Sequence, residues 1–176
     1  MTGIIDRKKA RRVIAWGIYM LAALLVQNML ISRIPILGVR AMFLPAVCVA
    51  AAMLEGGTGG AVFGLVMGLF ADMAFPENTV LFTVLFPVIG FFAGFAADFF
   101  LNRKFWPYML MSLAAMLLTA LAQMVLPLLS SGSAATLFKT AALQTLWGLP
   151  LAAAFYPWAR SIAVKHGGVA GRKEIS

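Results

Sequence analysis

The sequence predicts an all-α integral membrane protein, a bundle of about six transmembrane helices with its N- and C-termini in the cytoplasm. Of the 176 residues, 62% are hydrophobic and 11% are charged, whereas soluble domains are roughly one half apolar and one quarter charged. The apolar residues fall in long runs, and the basic residues concentrate at the ends of those runs. Lipid is the solvent that accommodates such a pattern.

Six apolar runs approach the roughly 20 residues that a helix needs to cross a bilayer. They lie at residues 13–32, 36–54, 59–75, 79–101, 106–129 and 137–160. The second run carries Arg40 and Pro45 and the third is short, so either is expected to be little tilted, partly re-entrant or matched by a thinner bilayer. The stretch 55–60, which separates these two runs, has the composition of a tight polar turn.

The first run follows a basic segment, as the apolar core of a secretory signal does. It is long, however, and the residues from Leu30 to Pro35, at its end, read Leu-Ile-Ser-Arg-Ile-Pro rather than a small-residue cleavage site. A retained anchor helix is therefore predicted. The expected organisation is a basic cytoplasmic N-terminus over residues 1–12, a six-helix membrane domain over 13–160 and a basic cytoplasmic tail over 161–176.

The distribution of basic residues predicts the orientation. With the N-terminus inside, the cytoplasmic segments carry 11 Lys and Arg residues and the outer segments carry 3, as the positive-inside rule requires. Amphipathic rings are expected at the same cytoplasmic interface. These are Trp16, Tyr19, Trp106, Tyr108, Tyr156 and Trp158.

A glycine–aspartate pattern with a spacing of four occurs twice. The third run contains Gly60, Gly64, Gly68 and Asp72, and the fourth contains Gly90, Gly94 and Asp98. Residues four apart share one helix face, so each set forms a smooth stripe that ends in a carboxylate. Such stripes let helix backbones approach closely in lipid, and a helix-packing seam is the favoured interpretation. An inverted repeat that frames a binding site is the alternative.

The two aspartates need partners because each lies near a helix C-terminus, where the helix dipole disfavours negative charge. The candidate cations are Arg33, Arg40 and Lys139 for Asp72, and Arg103 and Lys104 for Asp98. We hypothesise that Asp72 fixes the geometry of the hairpin formed by the third and fourth runs. The other polar residues within the runs, Gln27, Asn28, Gln123 and Gln144, are expected to form hydrogen bonds between helices.

The inventory of reactive side chains argues against catalysis. Cys48 is the single cysteine and His166 the single histidine, and His166 lies in the predicted tail. We therefore expect no metal site, no cofactor site and no nucleophile–histidine pair within the membrane. The net charge of +8 is assigned to topology and to contact with anionic lipids rather than to nucleic acid, and the protein is expected not to be an enzyme.

The chain resembles the rod shape-determining protein MreD family of bacteria. The resemblance lies in Leu-Leu-Val-Gln ending at Gln27, in Pro45, and in the glycine-rich segment from Gly60 to Asp72. It implies a multi-pass, non-enzymatic subunit of the cell-elongation complex in the bacterial cytoplasmic (inner) membrane. The implied partner is a bitopic MreC-like protein. Through this partner the chain would be linked to actin-like MreB filaments, a RodA-like glycosyltransferase and a class B transpeptidase.

A second family remains as the alternative. Substrate-binding membrane subunits of energy-coupling-factor vitamin transporters are similar in length, in their basic N-terminus and in their glycine-rich third helix. That resemblance would imply a vitamin site within the bundle and a coupling subunit docked on small residues of the first helix. Ala22 and Ala23 are present there, but no pair of small residues four apart is.

The predicted orientation is testable with reporter fusions. Alkaline phosphatase, which is active only outside the cytoplasm, is expected to be inactive when fused after residue 176 and active when fused after residue 132. A fluorescent protein at either terminus should fluoresce, since it matures in the cytoplasm. Termini that report opposite sides of the membrane would exclude the six-helix topology.

Overall fold

The computed structural model describes residues 2–31, 42–74, 80–99, 105–129 and 134–166. Every regular element within these ranges is helical, which confirms the predicted all-α class. The α-helices are α1 (Thr2–Val26), α2 (Leu44–Glu55), α3 (Gly57–Ala74), α4 (Leu81–Phe99), α5 (Phe105–Leu129) and α6 (Ala134–His166). A π-helical segment, Gln27–Ile31, continues α1.

Four helical stretches of the described chain are long and apolar enough to cross a bilayer. They are Ala10–Met29, Gly57–Ala74, Leu81–Phe99 and Phe105–Met124. The chain is therefore a multi-pass helical membrane protein. The sixth predicted span, 137–160, lies within α6, whose 33 residues are long enough to cross. It is absent from this set of four because polar and charged residues such as Lys139, Gln144 and Arg160 lower its mean hydropathy.

The second predicted span differs most from expectation. Only its end is seen as a helix, because α2 has 12 residues and residues 36–41 lie outside the described part. At about 1.5 Å per residue α2 is about 18 Å long, well short of the roughly 30 Å hydrocarbon core. All of its residues from Leu44 to Leu54 are buried, and the other five helices pack against it. α2 is thus the core of the bundle and has no lipid-facing side.

The predicted polar turn between the second and third runs is present, but it is much shorter than residues 55–60. α2 ends at Glu55 and α3 begins at Gly57, so Gly56 alone connects them. Its φ of 89° lies in the left-handed region that glycine adopts without steric cost, and its amide donates to the Ala52 carbonyl at 2.8 Å. The remaining glycines of the cluster are helical. The basic N-terminal segment is also helical, because α1 begins at Thr2.

The outer surface of the bundle is apolar. On α1, for example, Ile14, Ile18, Leu21 and Leu25 are exposed and recur at spacings of three and four, so they form one face. Exposed large apolar side chains also cover one side of α3, α4 and α5. A surface of this kind matches lipid chains rather than water.

Four of the six rings expected at the membrane interface are buried against neighbouring helices. Trp16, Tyr19, Tyr108 and Tyr156 are buried, whereas Trp106 (76% exposed) and Trp158 (39%) keep outward positions. The buried rings link α1, α5 and α6. Tyr108 and Tyr156 stack with centroids 4.4 Å apart, and Tyr19 meets Trp158 edge to face at 5.3 Å. Composition places amphipathic rings near helix ends, but it does not say whether they face lipid or a neighbouring helix.

Candidate functional site

The glycine stripe of α3 lies directly against the backbone of α4. A Cβ atom built on Gly60 would stand 2.5 Å from the Gly90 carbonyl oxygen, and one built on Gly64 or Gly68 would clash with a main-chain carbonyl of α4. Those carbonyls belong to Phe86 and Phe82 respectively. Since the sequence numbers on α3 rise as those on α4 fall, the two helices run antiparallel.

The second stripe faces the first across the same contact. A Cβ on Gly90 would clash with the Gly60 carbonyl, and a Cβ on Gly94 would stand 2.5 Å from the Gly57 amide nitrogen. The five stripe glycines, Gly60, Gly64, Gly68, Gly90 and Gly94, therefore form a single α3–α4 seam. Any side chain at these positions would have to push the helices apart.

Close backbone contact is the form of packing energy that a lipid-embedded pair can use. Lipid tails are as apolar as leucine side chains, so helices gain little from hydrophobic burial against each other. Each glycine costs a helix about 1 kcal/mol relative to alanine. Van der Waals contact along both backbones, together with Cα–H···O contacts, offsets that cost only if the helices touch along their length.

Asp72 closes one end of the seam. Its carboxylate accepts hydrogen bonds from the amides of Phe82 (3.0 Å) and Thr83 (2.7 Å) and from the Thr83 hydroxyl (2.5 Å). These amides belong to the first turn of α4, where they lack intrahelical acceptors and carry the positive end of the helix dipole.

The hydrogen bonds of Asp72 differ from the expected pairing with a cation. The partners that the structure shows are two backbone amides and one hydroxyl, and Lys139, one of the three candidate cations, is exposed. The other two, Arg33 and Arg40, lie outside the described residues. A helix N-terminus can balance a carboxylate as a cation does, because its unpaired amides converge on the same point.

Asp98 occupies the corresponding place at the other end. It lies near the C-terminus of α4, and a Cβ built on Gly56 would stand 3.0 Å from its Oδ2 atom. Gly56 immediately precedes α3, so this carboxylate lies beside the start of α3 as Asp72 lies at the start of α4. Its candidate partners Arg103 and Lys104 are outside the described residues. Each helix thus ends in an aspartate placed beside the first turn of the other helix.

A polar contact that the sequence did not reveal joins α1 to the end of α2. Glu55 forms an ion pair with Arg12, whose Nε donates to Glu55 Oε1 at 2.8 Å, and the Trp16 ring nitrogen donates to the same oxygen at 2.6 Å. In the sequence, Arg12 and Trp16 are four residues apart, which places them on one helix face. That spacing indicates a shared face but not the residue that they contact. Glu55 lies 43 residues from Arg12 along the chain, so no local spacing connects them.

Gln27 and two other glutamines form hydrogen bonds at the opposite end of α2. Gln27 Oε1 accepts from the Phe43 amide at 3.2 Å, just before α2 begins. Gln123 of α5 donates to Met42 Sδ at 2.9 Å, and Gln144 of α6 donates to Gln123 at 3.4 Å. The bond between Gln144 and Gln123 joins α6 to α5, as expected for polar residues within the runs. The bonds to Met42 and Phe43 hold the residues that immediately precede α2.

The geometry of the seam supports helix packing. Within the described ranges, no three His, Cys, Asp or Glu side chains are grouped as metal ligands would be. Cys48 is completely buried in α2, where its thiol donates to the Phe86 carbonyl at 3.4 Å.

No protein-family model, no curated protein and no solved structure matches the chain.

Replacing Gly64 with alanine should separate the packing role of the seam from simple helix propensity. The added Cβ would clash with the Phe86 carbonyl, so Gly64→Ala is expected to destabilise the protein by about 2 kcal/mol, a typical cost of overpacking. Gly17→Ala is the matched control, because a Cβ there meets nothing within 4 Å; this change should be neutral or slightly stabilising. Thermal unfolding in detergent measures both, and equal midpoints would contradict the seam.

The hydrogen bonds of Asp72 can be tested by a double-mutant cycle. Asp72→Asn removes the charge and one acceptor, so it is expected to cost about 1–3 kcal/mol. Thr83→Val should cost less, and the combined variant should be less destabilised than the sum of the two, since both changes remove one shared bond. Thr83→Ser keeps the hydroxyl and serves as the control. Full additivity in unfolding experiments would show that the two side chains are not coupled.

Proposed function

We propose that this chain is a non-enzymatic subunit of the bacterial cell-elongation complex, where it binds an MreC-like membrane protein. One observation carries the proposal. The segment from Gly60 to Asp72, on which the resemblance to the MreD family rests, is the segment that packs α3 onto α4 and ends on the first turn of α4. A motif used for internal packing suits a rigid scaffold.

The rigid α3–α4 pair leaves an aromatic face available to a partner. Phe91, Phe95 and Phe99 lie on one side of α4, are all exposed, and form consecutive ring contacts with centroids 6.2 Å and 4.6 Å apart. Aromatic side chains supply large contact area at low entropic cost and are enriched in interfaces. The transmembrane helix of a bitopic partner could lie along this stripe, which we call the phenylalanine face.

The short connections favour recognition within the bilayer. Gly56 alone links α2 to α3, and only residues 75–80, 100–104 and 130–133 lie between the later helices in the sequence. Such connections offer little surface to a soluble partner. In this proposal a RodA-like glycosyltransferase and a class B transpeptidase are reached indirectly, through the bitopic partner.

The absence of an enzymatic role is part of the proposal and is supported by two of the three buried Ser and Thr hydroxyls of the described chain. Thr119 and Thr145 are buried and donate to carbonyls one turn earlier in their own helices, at 2.8 Å and 2.9 Å. This is the ordinary way for a helix in lipid to satisfy a hydroxyl. Neither side chain is presented as a nucleophile.

Depletion in a rod-shaped bacterium that encodes the chain tests the proposal. Cells should swell and become round as the protein is lost, and added vitamins should not restore their shape. A copy carrying Gly17→Ala should complement the depletion, whereas one carrying Gly64→Leu should not. If shape is retained but growth comes to depend on one vitamin, the elongation role is wrong and the transporter alternative replaces it.

A photo-crosslinking amino acid at Phe95 tests the proposed partner surface. It should capture an MreC-like protein in living cells, because the phenylalanine face would contact the partner helix. The same amino acid at Leu25, which is exposed on α1, is the control and should give little of this product. Equal capture at both positions would show that the partner does not use the phenylalanine face.

A further inference from the structure

A groove of about 680 Å³ opens between α1 and α3. Val13 and Met20 line it from α1, and Val62 and Val66 line it from α3. Trp16 and Phe63 also contribute to its lining and meet edge to face with centroids 5.8 Å apart. Its volume lies within the range of about 300–1,000 Å³ that is typical of small-ligand sites.

The groove is apolar along its length and polar at one end. Arg12, Glu55 and Thr58 line that end, together with Gly59 in the first turn of α3. Gly17 widens the groove, since no atom lies within 4 Å of the place where its Cβ would be. A site with apolar sides and one polar end matches an amphiphile rather than a uniformly apolar or a polar ligand.

The charge at the polar end favours an anion. Lys8 and Lys9 stand four residues before Arg12 and Val13, so their positions on α1 continue the face that lines the groove. The Arg12 side chain is 26% exposed, and the first amides of α3, beside which Asp98 also lies, are the positive end of a helix dipole. Residues 2–12 of α1 carry five Lys and Arg residues against one Asp, so this end of the bundle remains basic after Glu55 and Asp98 are counted.

The same charge disfavours a transmembrane helix in the groove. Membrane helices carry their own Lys and Arg residues at the cytoplasmic end, the side on which the basic start of α1 is predicted to lie. Such a partner would bring like charges together at the groove end. Anionic phospholipids, in contrast, are attracted to basic segments at the cytoplasmic surface.

We propose that this groove binds one acyl chain of an anionic phospholipid, whose phosphate lies at the basic end beside Arg12 and the first turn of α3. Val13, Met20, Val62 and Val66 contact the chain along its length. Bound in this way, the lipid fills the space between α1 and α3. This site does not depend on a role in cell elongation, so either proposal can fail without the other.

Fluorescence quenching by brominated lipid tests the site in the full-length chain in nanodiscs. Replacing Trp106, Trp147 and Trp158 with phenylalanine leaves Trp16 as the only tryptophan, next to the groove and shielded from bulk lipid. Brominated phosphatidylglycerol should quench Trp16 at a several-fold lower mole fraction than brominated phosphatidylcholine does. Equal quenching by the two lipids would overturn the proposal.

Two variants connect the quenching to the groove. Gly17→Phe fills open space and should abolish the preference for phosphatidylglycerol, whereas Leu21→Phe, on the exposed side of α1, should retain it. Replacing Lys8 and Lys9 with glutamine should bring the preference close to that of phosphatidylcholine. An unchanged preference in Gly17→Phe would place the lipid elsewhere, and a photo-crosslinker at Val66 that captures a protein helix instead of lipid would also refute the site.

Discussion

α3 and α4 approach each other so closely that the carbonyl groups of one helix occupy the space where side chains of the other would stand. Gly64 against the Phe86 carbonyl and Gly90 against the Gly60 carbonyl illustrate the contact on its two sides. In lipid this contact cannot depend on the hydrophobic effect, so it depends on shape. An aspartate at each end of the seam then lies beside the first turn of the opposite helix, and this fixes how far one helix can slide along the other.

The position of α2 follows from that pair. The α2 helix itself is shorter than the hydrocarbon core, and it is enclosed by the other five helices. Its small residues allow this, as where Ala52 lies against Gly60 at the α3–α4 seam. Its two ends are held by polar contacts, with Gln27 at the start and the Arg12–Glu55 pair at the end. α3 and α4 form one side of the bundle, and α2 packs between this pair and the helices α1, α5 and α6.

The helical class and the glycine–aspartate seam were predictable because both follow from the spacing of residues that are close together in the sequence. Apolar runs indicate helices in lipid, and a spacing of four places Gly60, Gly64 and Gly68 on one face whatever the rest of the chain does. The partner of Asp72 was not predictable in the same way. Every residue except proline has a backbone amide, so the sequence does not show which amides will bind a carboxylate. Lysine and arginine are visible in the sequence as cations, and a cation was therefore expected.

The other differences have a similar origin. Glu55 and Arg12 are distant in sequence, and only the packing of α1 against α2 brings them together. The burial of Tyr19 and Tyr108 depends on neighbouring helices, because a tyrosine near a helix end suits an interface and an interior equally well when its hydroxyl finds an acceptor. For Tyr108 the acceptor is the Ala152 carbonyl at 2.9 Å. Gly56 was recognised as part of a connection, but its neighbours proved compatible with a helix.

The most direct test of the seam is amide hydrogen exchange at the start of α4, measured by NMR in detergent micelles. Amides in the first turn of a helix lack intrahelical acceptors and usually exchange fast. Because Asp72 accepts from the amides of Phe82 and Thr83, these two should be protected in the wild-type protein and should exchange faster in Asp72→Asn. Fast exchange in the wild type, or protection that is unchanged in the variant, would contradict the arrangement in which Asp72 locks α3 to α4.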